Sequence, residues 1–291
     1  MMTVQSPGQA VFFQSSDGLK LAGEFCGNAQ DPPVILLHGG GQTRHAWRKT
    51  QIALAEAGFS SLAMDLRGHG ESDWSDEGHY AAENFVDDLK IVVASLPTLP
   101  VIVGASLGGI ATLLAQGETA EELCRAVVLV DITPKVAGKG VDRIVAFMRA
   151  HHDGFASLED AAGAVGDYLS HRANNRKSPS DIEGLKKNLR RRDDGRYYWH
   201  WDPALVSDEF LAQVDCEERL LAAAKNIRVP LLLVRGMLSD MVTTSIVEEF
   251  LAHVPSAQYV DVPAAGHMVA GDSNDVFTSS LINFLRNSSS S

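Results

Sequence analysis

Residues 100–116 read PVIVGASLGGIATLLAQ. Val101, Ile102 and Val103 form a β-branched apolar run that stops at Gly104-Ala105-Ser106-Leu107-Gly108. A helix-compatible stretch follows at once, so the segment reads as strand, abrupt turn, helix, with a serine at the apex. The spacing is the G-x-S-x-G of a nucleophile elbow. The shape suits the chemistry. A serine hydroxyl is a weak nucleophile unless it stands exposed beside a base, and a tight strand-to-helix turn lifts Oγ out of the sheet. Such a turn strains the backbone at Ser106, and glycines on either side leave room where strand and helix crowd. Taken alone, the same residues also fit an ordinary glycine-rich turn, so the flanking chain has to decide.

Outward from this segment, strands and helices alternate. Upstream, VFFQS and LKLAGEF flank a Ser-Asp-Gly turn and predict an antiparallel pair over 10–26. PPVILLHGGG (32–41) is a continuous apolar run of the kind a buried parallel strand shows, ending in three glycines. RHAWRKTQIALAEAG (44–58) has helical spacing and a glycine stop; FSSLAMD (59–65) is the next strand; AAENFVDDLKIVVASL (81–96) is an amphipathic helix. Downstream, RAVVLVDI (125–132) is another buried strand. From Pro134 to about Asn226 the grammar changes to short helical patterns such as VDRIVAFMRAHH, DIEGLKKNLRRR and DEFLAQVDCEERLLAAAK, with no convincing buried strand. VPLLLVRG, TSIVEEFLAHV, AQYVDVP and NDVFTSSLINFLRN then restore strand, helix, strand, helix. The pattern predicts a parallel sheet covered on both faces, with a core at 1–133 and 227–291 and a helical insertion at 134–226.

Composition narrows the classes. The chain has 291 residues, 45% hydrophobic and 21% charged, with 37 acidic against 25 basic residues and a net charge of −12. That balance argues against nucleic acid or an anionic membrane surface as partner. Cys26, Cys124 and Cys216 are far apart and odd in number, which fits reduced thiols better than a disulfide framework or a zinc site. No signal-peptide pattern opens the chain and no run reaches the roughly 20 apolar residues of a membrane span, so a cytoplasmic protein is expected. Nothing implies a metal or cofactor.

Parallel sheets present ligands at the carboxyl ends of their strands. Here those ends carry His38-Gly39-Gly40-Gly41, Asp65, Ser106, Asp131, Asp240 and His267. With HGGG at 38–41, DLRGHGES at 65–72, GASLGG at 104–109, GMLSD ending at Asp240 and AGHM at 265–268, the chain from about 10 to 287 resembles the α/β-hydrolase fold family. It is most similar to the branch with a helical cap inserted after the sixth strand. The resemblance implies a mostly parallel eight-stranded sheet with flanking helices. It also implies Ser106 as nucleophile, His267 as base and Asp240 as acid, in the chain order this fold uses. Asp131 also ends a strand and is the alternative acid. The oxyanion hole is expected from the N–H groups of Leu107 and Gly40, with Gly41 able to substitute. The resemblance implies a structural role for His69 in shaping the strand end, and His38 is read as a brace for the oxyanion loop.

The nucleophile is a serine, which disfavours the aspartate-based alkyl-enzyme chemistry of epoxide hydrolases and dehalogenases in the same family. The implied activity is ester or acyl hydrolysis of a small or medium apolar substrate through an acyl-enzyme. Perhydrolysis or carbon–carbon cleavage on the same triad, and a low-turnover receptor-like binder, are the other readings. Gly41, Phe147, Met148, Trp199 and Trp201 are candidates for the substrate wall. The basic run from Arg172 to Arg196 reads as a solvated face, or as an attractor for a carboxylate-bearing substrate. Oligomeric state is not legible.

Overall fold

A computed structural model describes residues 8–170, 182–214, 216–267, 269 and 274–288. The chain opens with β1 (Gln9–Gln14) and β2 (Lys20–Cys26), which pair antiparallel with Gln14 opposite Lys20. Gly18 supplies the positive φ of 90° that the turn between them requires. Then follow β3 (Pro33–Leu37), α1 (Arg48–Glu56), β4 (Ser60–Met64), α2 (Ala82–Ala94), β5 (Val101–Ala105), α3 (Leu107–Gly117) and β6 (Ala126–Val130). Next come α4 (Gly138–Arg149), α5 (Leu158–Ser170), β7 (Leu189–Arg191), β8 (Tyr197–Trp199), α6 (Asp208–Val214) and α7 (Glu217–Asn226). The chain closes with β9 (Leu231–Gly236), α8 (Thr244–His253), β10 (Gln258–Val262) and α9 (Asn274–Ser288).

Eight strands form one sheet in the order β1-β2-β4-β3-β5-β6-β9-β10. β4, β3, β5, β6, β9 and β10 run parallel, while β1–β2 and β2–β4 are antiparallel. This is the mostly parallel, eight-stranded α/β sheet expected from the alternation. β3, β4, β6 and β9 are buried along their whole length, which explains why they read as continuous rather than alternating apolar runs. Successive side chains still go to opposite faces. Ile35, Leu37, Ile102 and Leu129 pack in the layer with α2, α3 and α7. Val34, Leu36, Val103 and Val128 pack in the other, with Trp47 and with Phe277 and Leu281 of α9.

Between β6 and its sheet neighbour β9 the chain makes its long excursion. This segment differs from the all-helical expectation. Leu189–Arg191 and Tyr197–Trp199 form an antiparallel hairpin, with Leu189 opposite Trp199. The reason is local. Tyr197, Tyr198 and Trp199 favour extended backbone, and Asp193-Asp194-Gly195, with Gly195 at φ 80°, turns the chain. The stretch expected to be helical before it keeps only a short 3-10 turn, Glu183–Asn188. Arg172, Arg176 and Lys177 of the basic run lie outside the described residues. At the end of the excursion α7 packs on α3. There a Cβ on Gly117 would overlap the Ala223 carbonyl, so glycine permits the two helices to touch.

Candidate active site

Ser106 sits between the last residue of β5 and the first of α3 with φ 46° and ψ −115°, a conformation that L-residues rarely adopt. Its neighbours explain how the strain is held. A Cβ on Gly104 would come within 2.5 Å of the Gly108 carbonyl oxygen, and one on Gly108 within 2.6 Å of Leu37 Cβ. Ser106 N–H donates to Val130 O at 3.3 Å, and its carbonyl accepts from Gly109 N and Ile110 N at 2.8 and 3.0 Å. Leu107 is the first residue of α3, so its N–H has no acceptor within the helix and adds to the positive end of the helix dipole.

Ala105 of β5 lies opposite Val130 of β6, so Ser106 and Asp131 are the next residues on adjacent strand ends. Asp131 is itself at φ 52°, a second non-glycine residue in the left-handed region. His267 Nδ1 donates to Asp131 Oδ2 at 2.7 Å. Asp131 also accepts from Ser239 Oγ at 2.5 Å and from Gly236 N at 3.1 Å. Asp240 is placed elsewhere. Its carboxylate pairs with Arg143 of α4, and its side chain is 41% exposed where that of Asp131 is 0%. The expectation that Asp240 backs the histidine is therefore corrected. The geometry puts Asp131 there, because β6 lies beside β5 and its end delivers a carboxylate behind His267, while α4 draws Asp240 away.

The glycine loop after β3 is pinned amide by amide. Gly39 N–H donates to Gln42 Oε1 at 3.0 Å and Gly41 N–H to His69 Nε2 at 3.2 Å. The Gly40 N–H between them has no acceptor among the described residues. Of the two expected donors in this loop, Gly40 is thus the available one and Gly41 is occupied. Gly39 faces the elbow, since a Cβ there would sit 3.0 Å from Ser106 Cβ.

Three buried histidines hold that loop. His38 Nε2 accepts from Leu66 N at 3.0 Å, leaving Nδ1 to donate to Gly39 O at 2.8 Å. His69 Nε2 accepts from Gly41 N, and its Nδ1 donates to Arg67 O at 3.0 Å. His200 Nδ1 accepts from Gly70 N at 2.8 Å and its Nε2 donates to Gly41 O at 3.3 Å. Each ring spends one nitrogen as acceptor, so the network requires neutral imidazoles. Burial pushes His38 down to about 4. Burial, then the neighbouring His38, pushes His69 down to about 3. Burial also holds His200 well below the usual range. His38 and His69 match the bracing role expected of them; His200, on the excursion, was not anticipated.

Gly39, Gly40, Gly41 and His267 line a cavity of about 460 Å³. Phe147, Met148, Trp199 and Trp201, the proposed wall residues, line the same cavity, together with Lys187, Asn188 and Tyr168. Trp199 and Trp201 stack at 4.8 Å and 13°, and Phe147 tilts against both. The Trp201 indole N–H donates to Met148 O at 3.3 Å, whereas that of Trp199 is buried without an acceptor among the described residues. No group of three or more His, Cys, Asp or Glu among the described residues is arranged to hold a metal ion. No helix there is long and apolar enough to cross a membrane.

A mostly parallel sheet with a strained serine at a strand-to-helix turn and a His–Asp pair at adjacent strand ends defines an α/β-hydrolase architecture. Residues 34–279 match the model of the alpha/beta hydrolase family, and the chain belongs to that family. It is 32% identical to Esterase Rv0045c of Mycobacterium tuberculosis over 83% of this chain and 78% of that one. It is 27% identical to 2-(acetamidomethylene)succinate hydrolase of Mesorhizobium japonicum over 87% of this chain and 88% of that one. A crystal structure of E-2-(acetamidomethylene)succinate hydrolase superposes with a TM-score of 0.81 at 24% identity, covering 96% of this chain and all of that one, and supports the shared fold. These relatives support hydrolase activity for the chain.

Proposed function

We propose that the chain is a serine esterase in which Ser106 is the nucleophile, His267 the base and Asp131 the acid. The observation that carries it is the 2.7 Å bond from His267 Nδ1 to a fully buried Asp131, formed at the strand end next to the strained Ser106. With Nδ1 committed to Asp131, Nε2 is the nitrogen free to take the Ser106 proton. As Oγ attacks an ester carbonyl, the oxyanion is received by the N–H groups of Leu107 and Gly40. His267 then returns the proton to the leaving alkoxide, and the acyl-enzyme is released by water activated at the same nitrogen. Asp131, held by three donors, stabilises the imidazolium without taking its proton. Residues 134–226 act as the cap, and a cavity of about 460 Å³ fits a small or medium ester. The similarity to an esterase and to a hydrolase of a succinate derivative supports the same reaction class.

A fluorophosphonate probe tests the assignment. Wild type should be labelled and Ser106→Ala should not. Asp131→Asn should lower kcat on p-nitrophenyl butyrate by about 10⁴, the loss seen when a triad acid is replaced by its amide, while Asp240→Asn stays within about twofold of wild type. Equal labelling of wild type and Ser106→Ala, or loss of activity in Asp240→Asn alone, would overturn it.

A further inference from the structure

The cavity wall carries a charge pattern opposite to that of the whole chain. Net charge is −12, yet among the described residues no Asp or Glu lines the cavity and Lys187 is the formally charged side chain that does. At Thr43, His45 and Lys187 the cavity meets a second cleft of about 530 Å³ that adds Lys20, Lys186 and Arg190. The acids of that cleft are engaged. Asp65 and Glu71 bind Arg44, and Asp73 accepts from Lys20 N at 2.8 Å. Arg190 donates to the carbonyls of Gly70 and Ser72 and lies over the Trp74 ring at 4.6 Å; it forms no ion pair among the described residues, though Asp73, Asp202 and Asp65 act on its charge from farther off. Lys187 likewise forms no ion pair there, is exposed, and lines both the cavity and the cleft.

Neutral donors belong to the same lining. Leu189 faces Trp199 across the hairpin and His200 N–H donates to Asn188 O, so Lys187 and Asn188 stand on the arm opposite the two tryptophans. Asn188 Oδ1 accepts from Thr43 Oγ1 at 3.3 Å, which leaves its amide N–H groups for a ligand. The Trp199 indole N–H, with Trp199 only 7% exposed, has no acceptor among the described residues. A buried donor without a partner is costly, and a ligand oxygen removes the cost. Beside these donors the wall is apolar, with Ile144, Phe147, Val165 and Leu185.

We propose that the cavity takes an ester that carries a carboxylate several methylenes from the scissile carbonyl, with Lys187 as the residue that recognises it. This rests on the esterase reading above. One ammonium and neutral donors in the same lining match a monoanion, and the apolar wall matches a methylene spacer. Such substrates are the hemiesters of dicarboxylic acids; hydrolysis gives the dicarboxylate and an alcohol.

The test compares monomethyl with dimethyl glutarate and adipate, using p-nitrophenyl acetate as a neutral reference. Wild type should favour the monomethyl esters in kcat/KM, and added salt should erode that preference. Lys187→Ala should lower the monomethyl-to-dimethyl ratio about tenfold through KM, Lys187→Glu should lower it further, and Lys187→Arg should retain most of it. An unchanged ratio in Lys187→Glu, or a wild-type preference for the dimethyl esters, overturns the proposal. In either case Ser106-dependent turnover of p-nitrophenyl acetate would leave the esterase reading standing. If no ester is turned over and the serine probe does not label, both fall together.

Discussion

Ser239 shows how a single hydroxyl can be committed to one role. Its oxygen accepts from Met241 N and Val242 N, both at 3.1 Å, so its lone pairs are occupied and its proton is directed to Asp131 Oδ2. With Gly236 N–H on the other carboxylate oxygen, Asp131 is held in the one orientation that meets His267 Nδ1. Ser239→Ala should therefore lower kcat about tenfold with KM within about twofold, and Ser239→Thr should restore most of it; steady-state kinetics on p-nitrophenyl butyrate reads both. Asp131 and Asp240 look equivalent in the sequence, since each follows an apolar strand. Nothing in the chain order reveals that Arg143, far upstream of Asp240, pairs with it.

At the scale of the element, the elbow sets the turn at Ser106 and the hairpin brings Trp199 to the cavity. In the elbow, α3 approaches β3 so closely that a Cβ on Gly108 would meet Leu37 Cβ at 2.6 Å and His38 O at 2.8 Å. Gly108→Ala should cost about 1–3 kcal/mol, because backbone rather than a mobile side chain has to yield; thermal or denaturant melts measure it. The G-x-S-x-G spacing announced the strand–turn–helix, which is local, and the flanking chain distinguished it from an ordinary turn; the close approach of Gly108 to β3 is a contact between distant segments. The hairpin was not announced. Its strands are three residues each, too short for an alternating pattern to show in the sequence. At Trp199 the stacked ring is worth keeping and the N–H is not satisfied. Trp199→Phe should leave stability unchanged or raise it by up to about 1 kcal/mol in melts, while raising KM for the carboxylate-bearing esters.

At the scale of the whole molecule, His38, His69 and His200 join the glycine loop, the strand-end loop at 66–70 and the excursion through backbone hydrogen bonds. All three are neutral when folded, with folded values at about 4 and about 3 for the first two, against about 6.5 in the unfolded chain. Below pH 6.5 the unfolded chain binds more protons than the folded one, so stability falls as pH falls. The slope reaches about 1 kcal/mol per pH unit for each ring. Denaturation midpoints should drop between pH 6.5 and 5, and the drop should be shallower in His200→Gln. A flat profile over that window would contradict neutral burial.

What the sequence determined by itself was the alternation of buried strands and helices, the elbow, the glycine loop and the histidine after the last strand. Each is encoded by residues within a turn or two of one another, where sterics and periodicity act directly. The tertiary structure alone decided which carboxylate serves His267, which loop amide is left free, and which side chains of the excursion face the cavity. These depend on contacts between segments distant in the chain: Asp131 meets Ser239 and His267 because β6 lies between β5 and β9, and Ser106 shares that end of the sheet for the same reason.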